Sequence, residues 1–282
     1  MSRQPTVEWQ VCGTCNYDCS YCIQSRKYRV GHPSEAEIDR FLEFYAGLPG
    51  GWEIKMTGGE PFAFRGFLAR IVPGLVERTP HRVSVLTNLS APVTALDRFA
   101  ELTRGRLEIV SASLHLEQVD VVDFRDKALR LRERIDARAR LIVNAVLVPG
   151  RLEAVERAKE LLEAVGLRLY PQVMKTKHGV SAYGGADTQR LLQLLGPAPT
   201  SRTANVAPSH HGRACWAGAE YLVVTQAGDA WRCRTARRAG EGHLGNVLEG
   251  TARLAGGPSP CPYTICPCAV PENRGMIEGR PA

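Results

Sequence analysis

Long apolar runs are missing from this 282-residue sequence, and Met1 leads directly into polar and charged residues. That pattern excludes a signal peptide and a membrane-spanning helix, so we expect a cytoplasmic protein without a membrane partner. Internal repeats and long low-complexity tracts are also missing. No basic cluster is interleaved with aromatic residues, which argues against nucleic-acid binding as the function.

Lysine is scarce, and the formal net charge of +7 comes mainly from arginine. Over residues 128–134 arginine alternates with apolar residues, as it does on a solvated helix face. Such a surface mildly favours anionic partners, including phosphorylated substrates. With 44% hydrophobic residues, the chain has enough apolar side chains for one substantial core plus a small appendage.

Hydrophobic periodicity alternates between strand-like and helix-like stretches along most of the chain. It predicts strands at 7–11, 53–57, 82–86, 107–114, 140–148 and 167–173, and helices at 35–46, 64–77, 93–102, 119–134, 152–165 and 188–195. Strands that each precede a helix or loop indicate a parallel α/β architecture, either an open sheet or a partial barrel. The Pro-, Ser- and Thr-rich residues 196–212 are typical of a linker. We therefore predict an α/β domain over 1–195 and a small cysteine-rich module over 196–282.

Nine cysteines stand out against this background, and three of them lie in the run CNYDCSYC at residues 15–22, after the first strand. Thiolates are the ligands that iron–sulfur clusters select. Three thiolates from one loop hold three irons of a cubane and leave the fourth iron open. Zinc stays a minor alternative, because Cys12 forms a C-x2-C pair with Cys15. Disulfides would need an oxidising compartment, and we expect Cys12 to be a strand-end residue outside the cluster.

A second motif, Gly58-Gly59-Glu60-Pro61, follows the second strand. Two glycines let the backbone approach a ligand closely, and a carboxylate accepts hydrogen bonds from an ammonium group. The combination of this turn with the cysteine triplet that follows the previous strand resembles the motifs of the radical SAM superfamily. In parallel α/β folds the active site lies at the carboxyl ends of the strands, and both motifs follow a predicted strand directly.

The resemblance spans residues 7–173 and implies a partial (β/α)6 barrel. It implies that Cys15, Cys19 and Cys22 hold a catalytic [4Fe-4S] cluster whose open iron binds the amino and carboxylate groups of S-adenosylmethionine (SAM). Reductive cleavage of SAM then yields a 5′-deoxyadenosyl radical that abstracts hydrogen from a substrate. An electron donor such as flavodoxin or ferredoxin is the expected partner.

The same resemblance assigns further positions to the cofactor. It places Tyr21 beside the adenine and the turn Gly58–Pro61 on the methionyl amine. Polar residues at other strand ends are matched less sharply: Asn88 on the third strand, Ser111 and Ser113 on the fourth, and Asn144 on the fifth. The alternative is that these are polar groups satisfied inside a barrel. His115 belongs at the barrel mouth, as an acid/base or substrate ligand or in a structural role.

Five more cysteines follow in the last third of the chain, namely Cys215, Cys233, Cys261, Cys266 and Cys268. The hairpin-like stretch 221–233 with its flanking cysteines is similar to the SPASM and twitch modules of radical SAM enzymes. Five cysteines rather than seven imply a twitch-like module, a β-hairpin plus a short helix, with one auxiliary [4Fe-4S] cluster. Which four cysteines bind it stays open, and an all-cysteine zinc site is the alternative.

We expect oxidation, dehydrogenation or epimerisation of a small metabolite such as a sugar or aminocyclitol. A peptide- or protein-modifying enzyme is the first alternative, made less favourable by a first strand that begins close to Met1. A non-catalytic metal-binding module is the second. Substrate contacts are expected on the last strand and its loop, at Tyr170, Gln172, Lys175, Lys177, His178 and Tyr183, although exposed loop residues are polar in any case.

Overall fold

The computed structural model describes residues 3–24, 31–176, 179–204, 208–266 and 268–279. Two of the predicted substrate contacts, Lys177 and His178, lie outside the described residues.

Six parallel strands form the main sheet in chain order: β1 Thr6–Cys12, β2 Glu53–Gly58, β3 Arg82–Thr87, β4 Leu107–Leu114, β5 Arg140–Leu147 and β6 Leu169–Val173. The later strands are β7 Lys175–Thr176, β8 Gly179–Val180, β9 Ala214–Cys215, β10 Tyr221–Val224, β11 Asp229–Trp231, β12 His243–Asn246 and β13 Ser259–Pro260. Strand β10 pairs in parallel with the free side of β1, and β11 and β12 continue from it antiparallel. Strands β10, β11 and β12, called the C-terminal hairpin below, thus extend the parallel sheet from six to nine strands, confirming an α/β partial barrel with a small appended module.

Helices connect the parallel strands: α1 Glu35–Ala46, α2 Val72–Arg78, α3 Val93–Leu102, α4 Val121–Arg134 and α5 Leu152–Glu163, followed by α6 Asp187–Leu195, α7 Ser201–Ala204, α8 Arg234–Ala239 and α9 Val270–Asn273. Ser34 caps α1 through a reciprocal pair of bonds with Glu37, as its position before the apolar pattern predicts. The helix predicted over 64–77 is present, but it contains a π-helical turn, Phe67–Ile71, directly before α2. Pro73 lacks the N–H that a regular α-helical ladder needs there.

Strand β1 is buried along its whole length, as expected for a central parallel strand covered on both faces. Side chains alternate between the two faces of a strand. Trp9 packs on the α1 rings of Phe41 and Tyr45, with centroids 5.0 Å and 5.1 Å away. Glu8 and Gln10 consequently face the other side, the interior of the curved sheet.

A buried ion-pair network joins the C-terminal hairpin to this inner face. Glu8 accepts hydrogen bonds from Arg234 Nε at 2.7 Å and from the Tyr221 hydroxyl at 2.5 Å, and Lys55 Nζ lies 3.4 Å away. Burial alone raises the pKa of Glu8, but the Arg234 and Lys55 charges hold it well below its usual range. Because a buried charge is costly without its partners, this network fixes α8 and β10 against β1 and β2.

Candidate active site

The loop that follows β1 carries the cysteine triplet. Cys19 is buried, Cys15 is half-buried and Cys22 is exposed. Cys22 N donates to Cys19 O at 3.2 Å, and Tyr17 N donates to Cys15 Sγ at 3.4 Å. Burial raises the pKa of Cys19 to about 11, and the neighbouring Cys22 and Cys15 sulfurs add to the effect. Binding of a cluster requires the thiols to lose their protons, and bound iron would compensate the negative charge that results.

Cys12 is the last residue of β1 and is fully buried. Its Sγ contacts Glu60 O at 3.5 Å and Thr14 O at 3.6 Å. Burial and the Glu60 carboxylate raise the pKa of Cys12 to about 12. The structure therefore agrees with Cys12 as a strand-end thiol rather than a member of the triplet.

The Gly58-Gly59 pair lets the end of β2 pack against the start of the cysteine loop. Gly59 N donates to Cys12 O at 2.9 Å, and Glu60 N donates to Thr14 O at 2.8 Å. A Cβ built on Gly59 would lie 2.0 Å from Thr14 O, and one built on Gly58 would lie 2.6 Å from Cys12 O. Close approach is thus required here by the protein's own backbone, in addition to the ligand approach that the sequence predicts.

Glu60 is buried beside the cysteine loop, and its carboxylate already has donors. Oε1 accepts from Thr87 Oγ1 at 2.8 Å and Phe62 N at 3.1 Å, whereas Oε2 accepts from Asn88 N at 2.7 Å. Burial raises the pKa of Glu60 to about 7 against the opposing effect of these bonds. Each carboxylate oxygen accepts two bonds, so Oε2 has room for one more donor, such as an ammonium group.

Asn88 bridges the end of β3 to the cysteine loop. Its Nδ2 donates to Asn16 Oδ1 at 3.1 Å, and its Oδ1 accepts from Ser90 N at 2.9 Å. The side chain predicted to touch the cofactor therefore also holds the loop that carries the triplet.

Three polar side chains form a hydrogen-bonded row across β4, β5 and β6 on the interior of the sheet. Asn144 Nδ2 donates to Ser111 Oγ at 3.0 Å, and Gln172 Nε2 donates to Asn144 Oδ1 at 2.8 Å. Ser113, two residues beyond Ser111, pairs in register with Asn144 and is half-buried. Two predicted cofactor contacts and one predicted substrate contact thus meet in a single row.

His115 follows β4 and contacts the aromatic residue of the triplet. Tyr21 OH lies 2.9 Å from His115 Nδ1, and the two rings stack with centroids 5.8 Å apart. Burial lowers the pKa of His115 to about 4, so the imidazole that shares this hydrogen bond with the Tyr21 hydroxyl is neutral near pH 7. Two residues on, Glu117 accepts from Ser20 N and Ser20 Oγ at 2.7 Å and 2.6 Å. Sequence reasoning missed Glu117, whose only signal is a carboxylate just past a strand end.

A cavity of about 290 Å³ opens beside Tyr21, between the ends of β4 and β5 and the start of α5. Its lining combines aliphatic side chains with charged ones and includes Tyr21, Leu114, Leu116, Val146, Val148 and Arg151. An apolar cleft with a few polar groups is the usual form of a small-molecule site.

The remaining predicted substrate residues lie in different surroundings. Tyr170 on β6 is half-buried with the Arg168 guanidinium 4.9 Å from its ring centroid. The Tyr183 hydroxyl donates to Leu147 O at 2.6 Å and accepts from Met174 N at 2.8 Å. Lys175 faces the C-terminal cysteines: burial lowers its pKa to about 8, while Cys268 and Cys266 oppose that shift.

All five C-terminal cysteines line one small cavity, together with Arg232 and Tyr263. The five thiols are buried. Pairing of β9 with β13 sets Cys215 opposite Ser259 and brings Cys261 nearby. Ala236 N donates to Cys233 Sγ at 3.3 Å, and Cys266 Sγ lies 3.3 Å from Cys268 O. Buried thiols around a common space match the donor set of an iron–sulfur cluster.

Within the described ranges, no three Cys, His, Asp or Glu side chains converge closely enough to hold a single metal ion. A cubane spreads its four irons over the ligands, and each thiolate contacts a different iron, so a cluster does not require such convergence. In the same part of the chain, no helix combines the length and apolar character needed to cross a membrane.

A sequence model of the Radical SAM superfamily matches residues 9–165, more than half of the chain. A search of curated proteins returns no match. Solved structures with similar folds include SuiB from Streptococcus suis bound to precursor peptide SuiA, with a TM-score of 0.63 and 15% identity over 89% of this chain and 64% of SuiB.

Two further similar structures are complexes with AdoMet. One is anSMEcpe with AdoMet and Cp18Cys peptide, with a TM-score of 0.57 and 14% identity over 88% of this chain and 79% of the other. The other is BtrN with AdoMet and 2-DOIA, with a TM-score of 0.53 and 15% identity over 89% and 80%. At these identities the likeness establishes a shared fold.

Proposed function

Since the chain belongs to the radical SAM superfamily, whose members use a [4Fe-4S] cluster and SAM, we propose that it oxidises or epimerises a small metabolite with the help of one auxiliary [4Fe-4S] cluster. One observation carries this proposal: five buried cysteines surround a single cavity, next to the network that joins the C-terminal hairpin to the barrel interior.

The residues at the carboxyl ends of the strands fit the first cluster and SAM. Cys15, Cys19 and Cys22 would hold the cluster, which with SAM supplies a 5′-deoxyadenosyl radical for hydrogen abstraction. The open acceptor position on Glu60 Oε2 suits the methionyl ammonium, and the aliphatic cavity beside Tyr21 suits the adenine.

Among the C-terminal cysteines, Cys268 differs from the others. Its Sγ lies 3.8 Å from Glu8 Oε2 and 3.6 Å from the Tyr221 hydroxyl. A thiol donates a hydrogen bond at these distances, whereas a ligating thiolate would set a second anion against a buried carboxylate. We therefore assign Cys215, Cys233, Cys261 and Cys266 to the auxiliary cluster and leave Cys268 as a thiol.

A second cluster favours net redox chemistry. Oxidation of an alcohol removes one hydrogen atom from carbon, then a proton and an electron, and an electron acceptor near the barrel interior takes that last electron. The row Ser111, Asn144 and Gln172 offers hydroxyl and amide groups to a polyhydroxylated or amino substrate.

A peptide substrate is the second candidate, since SuiB and anSMEcpe are seen with peptides. Strand addition at a sheet edge is one common mode of peptide binding. The segment 251–253 covers β12, because Thr251 N donates to Asn246 O at 2.9 Å and Arg253 N donates to Leu244 O at 2.8 Å. Helix α7 packs beside β6 at the opposite edge. Within the described ranges both edges are therefore covered, which favours the small-molecule candidate.

Anaerobic reconstitution tests the proposal. The full chain should bind about eight iron atoms, and replacing Cys15, Cys19 and Cys22 by Ala should leave about four. With dithionite and SAM, the parent should form 5′-deoxyadenosine and the triple variant should not. Undiminished 5′-deoxyadenosine formation by the triple variant would overturn the radical mechanism.

The substrate class is tested with deuterated compounds. Deuterium transfer into 5′-deoxyadenosine from sugars or aminocyclitols is expected, and transfer from peptides alone would favour the second candidate. In the triple-Ala background, Cys268→Ala should keep about four irons, whereas Cys233→Ala and Cys261→Ala should lose most of them. Iron loss in Cys268→Ala with retention in Cys261→Ala would overturn the ligand assignment.

A further inference from the structure

The cysteine loop is held from one side by the segment that follows β4. Three consecutive contacts run between the two segments. His115 Nδ1 pairs with Tyr21 OH at 2.9 Å, Glu117 accepts from Ser20, and Gln118 Nε2 donates to Asp18 O at 3.5 Å. The partners on the loop side interleave with Cys19 and Cys22, so the segment acts along the stretch that carries two of the three thiols.

Glu117 makes the strongest of these contacts. Its Oε2 accepts from Ser20 N at 2.7 Å, and its Oε1 accepts from Ser20 Oγ at 2.6 Å. Arg151 at the start of α5 pairs with the same Oε1 and so also restrains the orientation of the carboxylate. The Glu117 side chain is only 12% exposed. Charge-assisted bonds of this length are about twice as strong as neutral ones.

The loop needs such an external support because it has little regular structure of its own. Between Gly13 and Gln24 it forms no helix or strand, and the turn Cys19 O to Cys22 N spans the second half of the triplet. Ordering an irregular backbone costs conformational entropy for every residue fixed. Bonds to Ser20 from a residue fixed on the barrel offset this cost at the position between Cys19 and Cys22.

We propose that Glu117 is a positioning residue that preorganises the cysteine loop for the cluster, and this inference rests on the function proposed above. The loop then has the conformation that binds the cluster already in the metal-free protein. The Glu117–Arg151 pair also links the loop to the wall of the cavity beside Tyr21. Loss of the carboxylate leaves the three thiols in place but allows the loop to move.

The test compares Glu117→Ala and Glu117→Gln in the full reconstituted chain. Asp97→Ala is the matched control, since Asp97 is also a carboxylate that binds an arginine, Arg130, on the outer surface. The readout is the reduced-cluster EPR signal that changes on SAM addition, followed during exposure to an iron chelator. Glu117→Ala should lose this signal at least about tenfold faster than the parent, because two bonds to Ser20 are removed.

The rate of signal loss in Glu117→Gln should lie between those of the parent and Glu117→Ala, because the glutamine carbonyl oxygen still accepts one hydrogen bond from Ser20. Equal loss rates in Glu117→Ala and Asp97→Ala would overturn the inference. Should Glu117→Ala fail to fold, Ser20→Ala decides: it removes only the hydroxyl bond and should speed signal loss by a few-fold, and no change would overturn the inference. A parent without any SAM-responsive signal would instead refute the proposed function.

Discussion

Replacing Gly59 by Ala tests whether the β2 turn supports the cysteine loop. A Cβ at this position would lie 2.0 Å from Thr14 O and 2.5 Å from Gly13 O. Both obstacles are backbone atoms, which cannot swing aside as a flexible side chain can. The φ of Gly59 lies outside the left-handed region, so lack of space alone makes the substitution costly.

The expected effect is set by overpacking. Forcing extra atoms into a packed site typically costs about 1–3 kcal/mol, and a clash with backbone on two sides places the cost of Gly59→Ala at about 3 kcal/mol. For a chain of this size that corresponds to a fall in Tm of roughly 6–12 °C. Where the loop shifts instead, the fall in Tm is smaller, but Thr14 moves and the geometry of the triplet changes with it.

The assay measures Tm of the metal-free protein together with iron content after reconstitution. Gly51→Ala is the matched control, since Gly51 precedes the same strand, is exposed and has nothing within 4 Å of the added Cβ. Gly59→Ala should fall below Gly51→Ala in Tm, in iron retained at the first site, or in both. Equal values for the two variants in both measurements would refute the packing argument.

Three further predictions concern stability. Tyr183→Phe should destabilise the metal-free protein by about 1–2 kcal/mol, because Leu147 O and Met174 N lose a hydrogen-bond partner. Tyr170→Phe is the control, and equal urea midpoints for the two variants would contradict a stabilising role of the Tyr183 hydroxyl. Glu8→Gln should cost about 3 kcal/mol in urea unfolding, since the partly buried Arg234 and Lys55 charges lose the buried carboxylate that compensates them. A loss no larger than that of Glu220→Gln, whose partner Arg3 is exposed, would argue against the network. Burial lowers the pKa of His81 below its usual 6.5, and the neutral ring accepts from Trp52 N at 3.3 Å. The stability that His81 contributes is therefore complete above pH 6.5 and is lost as the pH falls below that value. Urea midpoints of the parent should drop between about pH 7.5 and pH 5, and those of His81→Gln should drop less.

The alternating α/β pattern could be predicted from sequence because local signals agree with the fold. The span of β4 and that of α3 coincide with their predicted ranges. The strong apolar periodicity of these segments leaves little choice of register. The regular pattern is interrupted before Pro73, where a π-helical turn occupies Phe67–Ile71 of the expected helix.

Non-local contacts are the part that the sequence conceals. Nothing in the local pattern of Tyr221–Val224 indicates that it pairs with β1 more than two hundred residues away. The support given by Glu117 to Ser20 joins residues 97 positions apart, and a single carboxylate after a strand carries no motif. The Gly58-Gly59 pair predicts a close approach to a ligand, whereas its close contacts with the backbone of Cys12 and Thr14 become visible only once the loop and strand are in place.

Strand β1 connects the two cysteine sites. Its carboxyl end leads into the loop with Cys15, Cys19 and Cys22, while its inward side chains hold the C-terminal hairpin. Glu8 binds Arg234 and lies beside Cys268, and Gln10 Oε1 accepts from Arg237 Nη1 at 3.2 Å. Because a buried central strand is among the most rigid elements of a fold, the separation between the two sites is set by β1 rather than by the linker. Under the proposed function, a substrate between them would meet hydrogen abstraction at one end and electron removal near the other, and a fixed separation favours such a two-step oxidation.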